Sequence, residues 1–261
     1  DDVTSDEMIS PSEVPIDDTA DLQRYPRAFV ERPLVLPHGI VELWAAARTA
    51  RETFRDNWVE YGGASVGVTV GRGAYELGTG TDFLVFETDN LSEEAGEPPT
   101  FQRWHASAVV QVAPQTSLGV QGVVGVPMSR FRRYSPSLDV AHKFRPSPRG
   151  AIVVHGGVDY NYGRAGSNAQ VVTHLLGAYA GAAVSVQVTP LVALRLGGRV
   201  AQYKYVDRFY GATKSFGWVS AGATILISIS ERADLSLFLG RSSGPVDTTS
   251  GGLTFTIRSS R

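Results

Sequence analysis

His105 and Ser107, one residue apart, are the pair whose types come nearest to a nucleophilic catalyst. An imidazole can take the proton of a hydroxyl and activate it for attack on an ester, provided the two groups meet and a third group orients the ring. The surrounding residues set a condition on this chemistry. Trp104, Ala106, Ala108, Val110 and Val112 share one phase of a two-residue alternation, and Arg103, His105, Ser107 and Gln111 share the other. The pair therefore belongs to a polar face. His142, His155 and His174 stand singly, without the two-His spacing or acidic cluster of a metal site. The absence of Cys removes thiolate ligands, cysteine nucleophiles and disulfides together. Gly71-Arg72-Gly73 lacks the strand–loop–helix setting of a phosphate cradle and reads as a turn. No metal, no cofactor and no enzymatic activity are expected.

More informative is a wider set of ionisable residues on the polar phase of alternating stretches. It comprises Glu42, Arg48, Glu76, Asp82, Arg103, His105, Asp139, Lys143, His155, Asp159, Arg195 and Arg199. Such groups must face water or one another, so whatever elements carry them must enclose a polar space or expose it.

Those elements are strands. The clearest is Phe216–Ser230, where Val219, Ala221, Ala223, Ile225, Ile227 and Ile229 oppose Trp218, Ser220, Gly222, Thr224, Leu226 and Ser228. Glu231–Asp234 breaks the run, and Leu235–Gly240 resumes it as an antiparallel neighbour. The same unit recurs at Gly39–Arg51, Ser65–Gly71, Tyr75–Phe86, Phe101–Val112, Ser117–Met128 and Leu138–Phe144. It continues at Ala151–Tyr162, Ala169–Val188, Leu191–Tyr205 and Gly252–Arg258, which makes twelve strands, with ten as the fallback. Several reach ten residues or more, the length that crosses a bilayer at a tilt. Asn57, Gly62 and Gly63 are read as a loop after the first strand.

Connections alternate in kind. Tight turns are expected at Arg72–Ala74, Pro114–Gln115, Ser147–Gly150, Thr189–Pro190 and Glu231–Asp234. Mostly longer polar loops separate them, including the acidic Glu87–Thr100, the basic and aromatic Arg130–Pro136, and Asp207–Ser215. Aromatic residues gather beside these loops. The fold class is therefore all-β, and short turns at one end with long loops at the other favour a transmembrane, up-and-down antiparallel barrel. A soluble sandwich or lipocalin-like barrel is the competing reading. No run of eighteen apolar residues offers a transmembrane helix, and no positively charged, apolar N-terminal segment reads as a signal peptide, so any such peptide is expected to be already absent from this sequence.

Charge divides the chain in two. Residues 1–38 hold nine acidic and three basic residues, a net −6, and the rest holds 17 and 21, a net +4. The first part, rich in Pro, Ser and Asp, reads as an extended periplasmic arm that could partly plug the mouth. Tyr25–Pro37, with Phe29, Val30, Leu34, Val35 and Leu36, is the portion expected to pack there. Residues 39–261 are the barrel.

Ser250-Gly251-Gly252-Leu253-Thr254-Phe255-Thr256-Ile257 resembles the insertion signal of Gram-negative outer-membrane β-barrel proteins, of the uncharacterised small porin- or channel-like kind. Arg258-Ser259-Ser260-Arg261 follows where that signal usually ends on an aromatic residue. Glu31–Pro37 is similar to the lead-in of such barrels. The resemblance implies integral residence in the outer membrane and contact with its lipid and lipopolysaccharide; the twelve ionisable residues above then turn inward, as a pore lining or equally as ion pairs that close the lumen. It also supplies a contrast for His105 and Ser107. Twelve-stranded outer-membrane phospholipases carry His-x-Ser followed by Asn-Gly, whereas Ala108-Val109 follows here.

A passive pore for small hydrophilic solutes is the leading expectation. Its alternatives are a structural or scaffolding barrel whose arm, residues 1–38, binds a periplasmic protein partner, and, third, a lipid-ester hydrolase. The basic loop is assigned to lipopolysaccharide or bulk water, and nucleic acid is not an expected partner.

Overall fold

The computed structural model describes residues 33–54, 57–88, 100–127, 132–165, 171–207 and 213–259. The arm up to Arg32, most of the acidic loop, Arg130 and Phe131, and residues 208–212 lie outside them. Twelve strands follow one another, each hydrogen-bonded to its sequence neighbours, and β1 closes on β12. They are β1 (Val41–Phe54), β2 (Asn57–Arg72), β3 (Tyr75–Thr88), β4 (Thr100–Ala113), β5 (Thr116–Pro127) and β6 (Arg132–Ser147). The second half comprises β7 (Gly150–Ala165), β8 (Val171–Thr189), β9 (Val192–Asp207), β10 (Thr213–Ser230), β11 (Ala233–Ser243) and β12 (Asp247–Arg258). Every pairing is antiparallel, as short connections require. Closure leaves no open sheet edge among the described residues.

The alternation of residue types sets the faces. Leu196 and Leu239 are about two-thirds exposed on the outside (64% and 65%), and Ile225, Leu194, Leu77 and Val120 stand outward with them. A soluble protein would hide this surface. Here it encircles a polar interior, the arrangement of a barrel that meets lipid along its wall. Trp218, Ser220 and Leu226 point inward and are buried.

Five hairpins at one end are joined by two residues each: Gly73-Ala74, Pro114-Gln115, Pro148-Arg149, Pro190-Leu191 and Glu231-Arg232. Pro or Gly at four of these five points supplies the fixed or positive φ that tight reversals demand, with Gly73 at φ 67. Both ends of the barrel chain, Val41 and Arg258, lie at this short-turn mouth.

Several boundaries differ from those expected. Asn57, Gly62 and Gly63 are strand residues of β2 rather than a loop, and Asn57 already pairs with Phe54 of β1. Glycine is tolerated there because the ladder, not the side chain, holds the strand, with Gly62 and Gly63 opposite Thr49 and Arg48. β6 begins at Arg132, six residues before the expected Leu138, so five of the seven residues of the basic loop are strand. β12 likewise begins at Asp247, leaving only Gly244-Pro245-Val246 between it and β11.

Candidate functional site

The space inside the wall is the candidate site, and the segment before β1 bounds one end of it. Pro37, His38, Gly39 and Ile40 form a reversal in which the Ile40 amide donates to the Pro37 carbonyl at 3.2 Å. Gly39 takes φ 82, the left-handed value that the third position of a type II turn needs. The reversal is pinned to β2 by Gly39 N–H to Gly71 O and Gly71 N–H to Ile40 O, each 2.9 Å. The Gly73 amide adds a bond to His38 Nδ1 at 3.1 Å. The chain before the turn is thereby folded back under the mouth. The Leu36 amide donates to Glu76 Oε2 at 2.9 Å, and Val35 and Leu36 are almost completely buried. Gly71 makes the approach possible, since a Cβ there would stand 2.2 Å from the Pro37 carbonyl oxygen.

All twelve residues singled out by their phase occupy inward positions, but they do not form one site. Strand register distributes them into groups. Asp82 on β3 lies directly opposite Arg103 on β4. Its Oδ2 accepts from Arg103 Nε at 3.0 Å and stands 2.9 Å from both Arg103 Nη2 and Arg48 Nη2 of β1. His105 Nε2 lies 3.9 Å from Asp82 Oδ1, and its ring stacks on Trp44 with centroids 5.5 Å apart. Two cations thus share one carboxylate on the β1–β4 side.

Across the barrel, Asp159 of β7 and Arg199 of β9 meet over β8. Arg199 Nη2 is 3.5 Å from Asp159 Oδ2, and the Tyr203 hydroxyl donates to the same oxygen at 3.0 Å. The Arg199 guanidinium rests on the Tyr179 ring at 3.6 Å, close enough for a cation–π contact. Gly177 on β8 leaves the gap these side chains fill. A Cβ there would come within 2.2 Å of the Tyr203 ring and 2.4 Å of the Asp159 carboxylate. His155 borders Tyr179, with ring centroids 6.1 Å apart.

The third group closes the short-turn mouth. Arg258 of β12 donates from Nε to Glu42 Oε2 at 3.1 Å and also pairs with Asp234 of β11. Ser228 completes it with a 3.0 Å bond to Asp234. Glu76, Lys143 and Arg195 are buried at this end, while Asp139 lies higher on β6 over Gly119. Arg258 and Asp234 were not among the twelve. Their phase could have found them, because Arg258 continues the inward run Gly252, Thr254, Thr256, and Asp234 the run Phe238, Ser236.

Toward the opposite end the interior holds two apolar clusters, beside buried Glu52, Asn161, Ser242 and Thr248. Leu175, Ala201, Tyr203, Trp218 and Val246 form one buried cluster, and Ala50, Tyr61 and Leu84 another. Between the two ends a partly accessible polar strip runs over β4–β7, carrying His105, Ser107, Gln121, Ser135, Ser137, Asp139, His155 and Asp159. His105 and Ser107 both belong to it. The ring turns to Asp82 and Trp44, while Ser107 Oγ lies over Gly78.

No family model matches the chain, and no curated protein is similar to it. Solved structures are similar in fold. An outer membrane channel from Pseudomonas putida F1 superposes with TM-score 0.66 at 12% identity, over 86% of this chain and 97% of that one. The translocator domain of the autotransporter NalP from Neisseria meningitidis gives 0.69 at 11%, over 91% and 95%. The beta domain of the Bordetella autotransporter BrkA gives 0.62 at 11%, over 83% and 98%. The chain thus has the closed antiparallel barrel of outer-membrane proteins.

Proposed function

We propose that this protein is a passive channel for small hydrophilic solutes in the bacterial outer membrane, narrowed at its periplasmic mouth by its own N-terminal segment. The polar strip over β4–β7 is the observation that carries this reading. Its serines, Gln121, Asp139 and Asp159 offer donors and acceptors that replace the hydration of a passing solute, and they retain partial access to water. An interior built only to fill a barrel would hold its polar side chains away from water along its whole length. The similarity in fold to an outer membrane channel is compatible with the reading at a level that speaks of architecture alone.

Residues 1–38 act as the regulating part of this assignment. The arm carries a net −6 and the rest of the chain a net +4, so Coulombic attraction would favour the arm near the mouth at low salt. A second reading has its own support. Burial of Val35 and Leu36 inside the mouth suits a closed, scaffolding barrel whose arm engages a periplasmic protein. Reconstitution in planar bilayers separates the two. Discrete conductance steps support the channel, and an insulating barrel that remains insulating without residues 1–37 supports the scaffold.

A further inference from the structure

The wall is held least where β6 meets β7. Among the described residues, the other eleven seams pair without a gap, or lapse only beside a tight turn. Between β6 and β7 the pairing stops at Tyr134 with Tyr162 and resumes, in the same register, at Ser137 with Asp159. Pro136 lies in this gap, opposite Tyr160. Proline has no amide hydrogen, so the Tyr160 carbonyl loses the donor that the ladder would bring, and the two pairs that need this bond are missing. Sheets tolerate proline at edges, strand starts and bulges. A closed barrel has no edge, and Pro136 lies well inside β6.

The gap divides the seam unequally. Below it eight consecutive pairs, from Ser137 with Asp159 to Phe144 with Ile152, lead down to the hairpin. Above it three pairs, from Arg132 with Arg164 to Tyr134 with Tyr162, hold two strands that no turn joins at that end. Side chains bridge the gap from both sides of the wall. Inside, Ser135 Oγ donates to Asn161 Oδ1 at 2.5 Å, and outside, the Tyr134 and Tyr162 rings have centroids 6.0 Å apart. The neighbouring seams are continuous: β5 pairs with β6 past Pro136, and β7 pairs with β8 throughout. Parting of the wall is therefore confined to the upper β6–β7 seam. Behind that seam stand Ser135, Ser137 and Asp159 of the polar strip. In front of it the outer surface is apolar and shallow. Gly122 lies opposite Pro136, a Cβ there would meet nothing within 4 Å, and exposed Trp104, Val124 and Leu138 stand around it.

We infer that this seam is a side portal through which a single-chain amphiphile with a hydroxyl-bearing head passes between the lumen and the surrounding lipid. The portal rests on the channel reading, since it needs a lumen continuous with the seam. As the three upper pairs part, the head exchanges hydrogen bonds with Ser135, Asn161 and the Tyr160 carbonyl, while the alkyl chain lies in the shallow surface over Gly122. The carbonyl sets the head chemistry. A hydroxyl can donate to it, whereas an ionised carboxylate or sulfate offers acceptors alone. A carbonyl without a donor is also costly in hydrocarbon, so the passing head relieves a strain that the closed wall carries.

The test locks the seam. The chain has no Cys, so introduced thiols are the only ones. Residues 135 and 161 face each other on adjacent strands, where Cα atoms stand about 4.5–5.5 Å apart, a separation that a disulfide spans. Full-length Ser135→Cys/Asn161→Cys is refolded reduced into lipid vesicles and compared with itself after oxidation, so folding is common to both arms. The probe is a fluorescent single-chain glycolipid with an uncharged sugar head. Its transfer across the bilayer is read as the fraction that serum albumin, too large for the lumen, cannot extract, and ion conductance is recorded on the same preparations. The wild-type chain and the reduced variant should transfer the probe. Oxidation should bring transfer down to that of protein-free vesicles, reduction should restore it, and current should persist throughout. A lock in the next seam, Val158→Cys/Ala178→Cys, should leave transfer unchanged. Pro136→Ala, which returns the amide hydrogen, should slow transfer severalfold, and an alkyl sulfate of the same length should lag behind the glycolipid. Transfer that ignores the β6–β7 lock while current flows would overturn the portal alone, and equal transfer of the sulfate would overturn the head assignment. Absence of both current and transfer would overturn the channel reading and the portal with it.

Discussion

The Leu36 amide is bound to the Glu76 carboxylate across 2.9 Å, which ties the segment before the first strand to the inner wall of β3. The contact spans forty residues of sequence and lies inside the mouth, not on its rim. It gives the N-terminal segment a fixed point of entry, and the turn at Gly39 decides the direction in which the chain arrives.

Weakening that turn should loosen the segment. Gly39 sits at φ 82, where a β-branched side chain is strained by about 1–2 kcal/mol. Gly39→Val should leave the barrel folded, because Gly39 precedes β1, and should raise the susceptibility of Val35 and Leu36 to limited proteolysis. Unchanged cleavage in this region would show that the reversal does not hold the segment in place.

The two faces of the wall should respond oppositely to charge. Ile227, placed toward lipid by its phase, lies near the end of β10, so Leu196 is the better mid-wall probe at 64% exposure. Leu196→Arg should cost about 2–4 kcal/mol when folding into lipid vesicles is measured. Ser137→Arg, on the inner strip opposite Asp159, should cost much less. Equal penalties would contradict the division into a lipid face and a polar interior.

The β7–β9 group depends on the gap at Gly177. Gly177→Ala should force Tyr203 and Asp159 aside and destabilise the barrel by about 1–3 kcal/mol in denaturant unfolding. Asp159→Asn keeps the shape but weakens acceptance from Arg199 and Tyr203, at about 1.5–3 kcal/mol. Because both changes act on one cluster, the double variant should fall short of their sum. Full additivity would mean that Gly177 serves another neighbour.

Much of this architecture can be read from the chain because a two-residue period leaves little freedom. Once Ile225 faces lipid, Thr224 and Leu226 cannot, and Pro148-Arg149 or Pro190-Leu191 must reverse the direction. The inward positions of the twelve ionisable residues follow from the same parity. Their grouping does not. That Asp159 reaches Arg199 over β8 depends on register and on the missing side chain of Gly177, and neither is written in the alternation. Gly62 and Gly63 misled in the other direction, since glycine commonly ends strands but here lies within a ladder held on both sides. The Leu36–Glu76 bond was likewise illegible, because an isolated backbone donor carries no mark of its partner.

The channel assignment is tested most directly by single-channel conductance of the full chain and of a chain lacking residues 1–37, each at low and high salt. The account predicts discrete steps in both, larger in the truncated chain, with a difference that shrinks as salt screens the arm from Arg48, Arg103, Arg195 and Arg199. A truncated barrel that folds, inserts and carries no current at any salt concentration would contradict it.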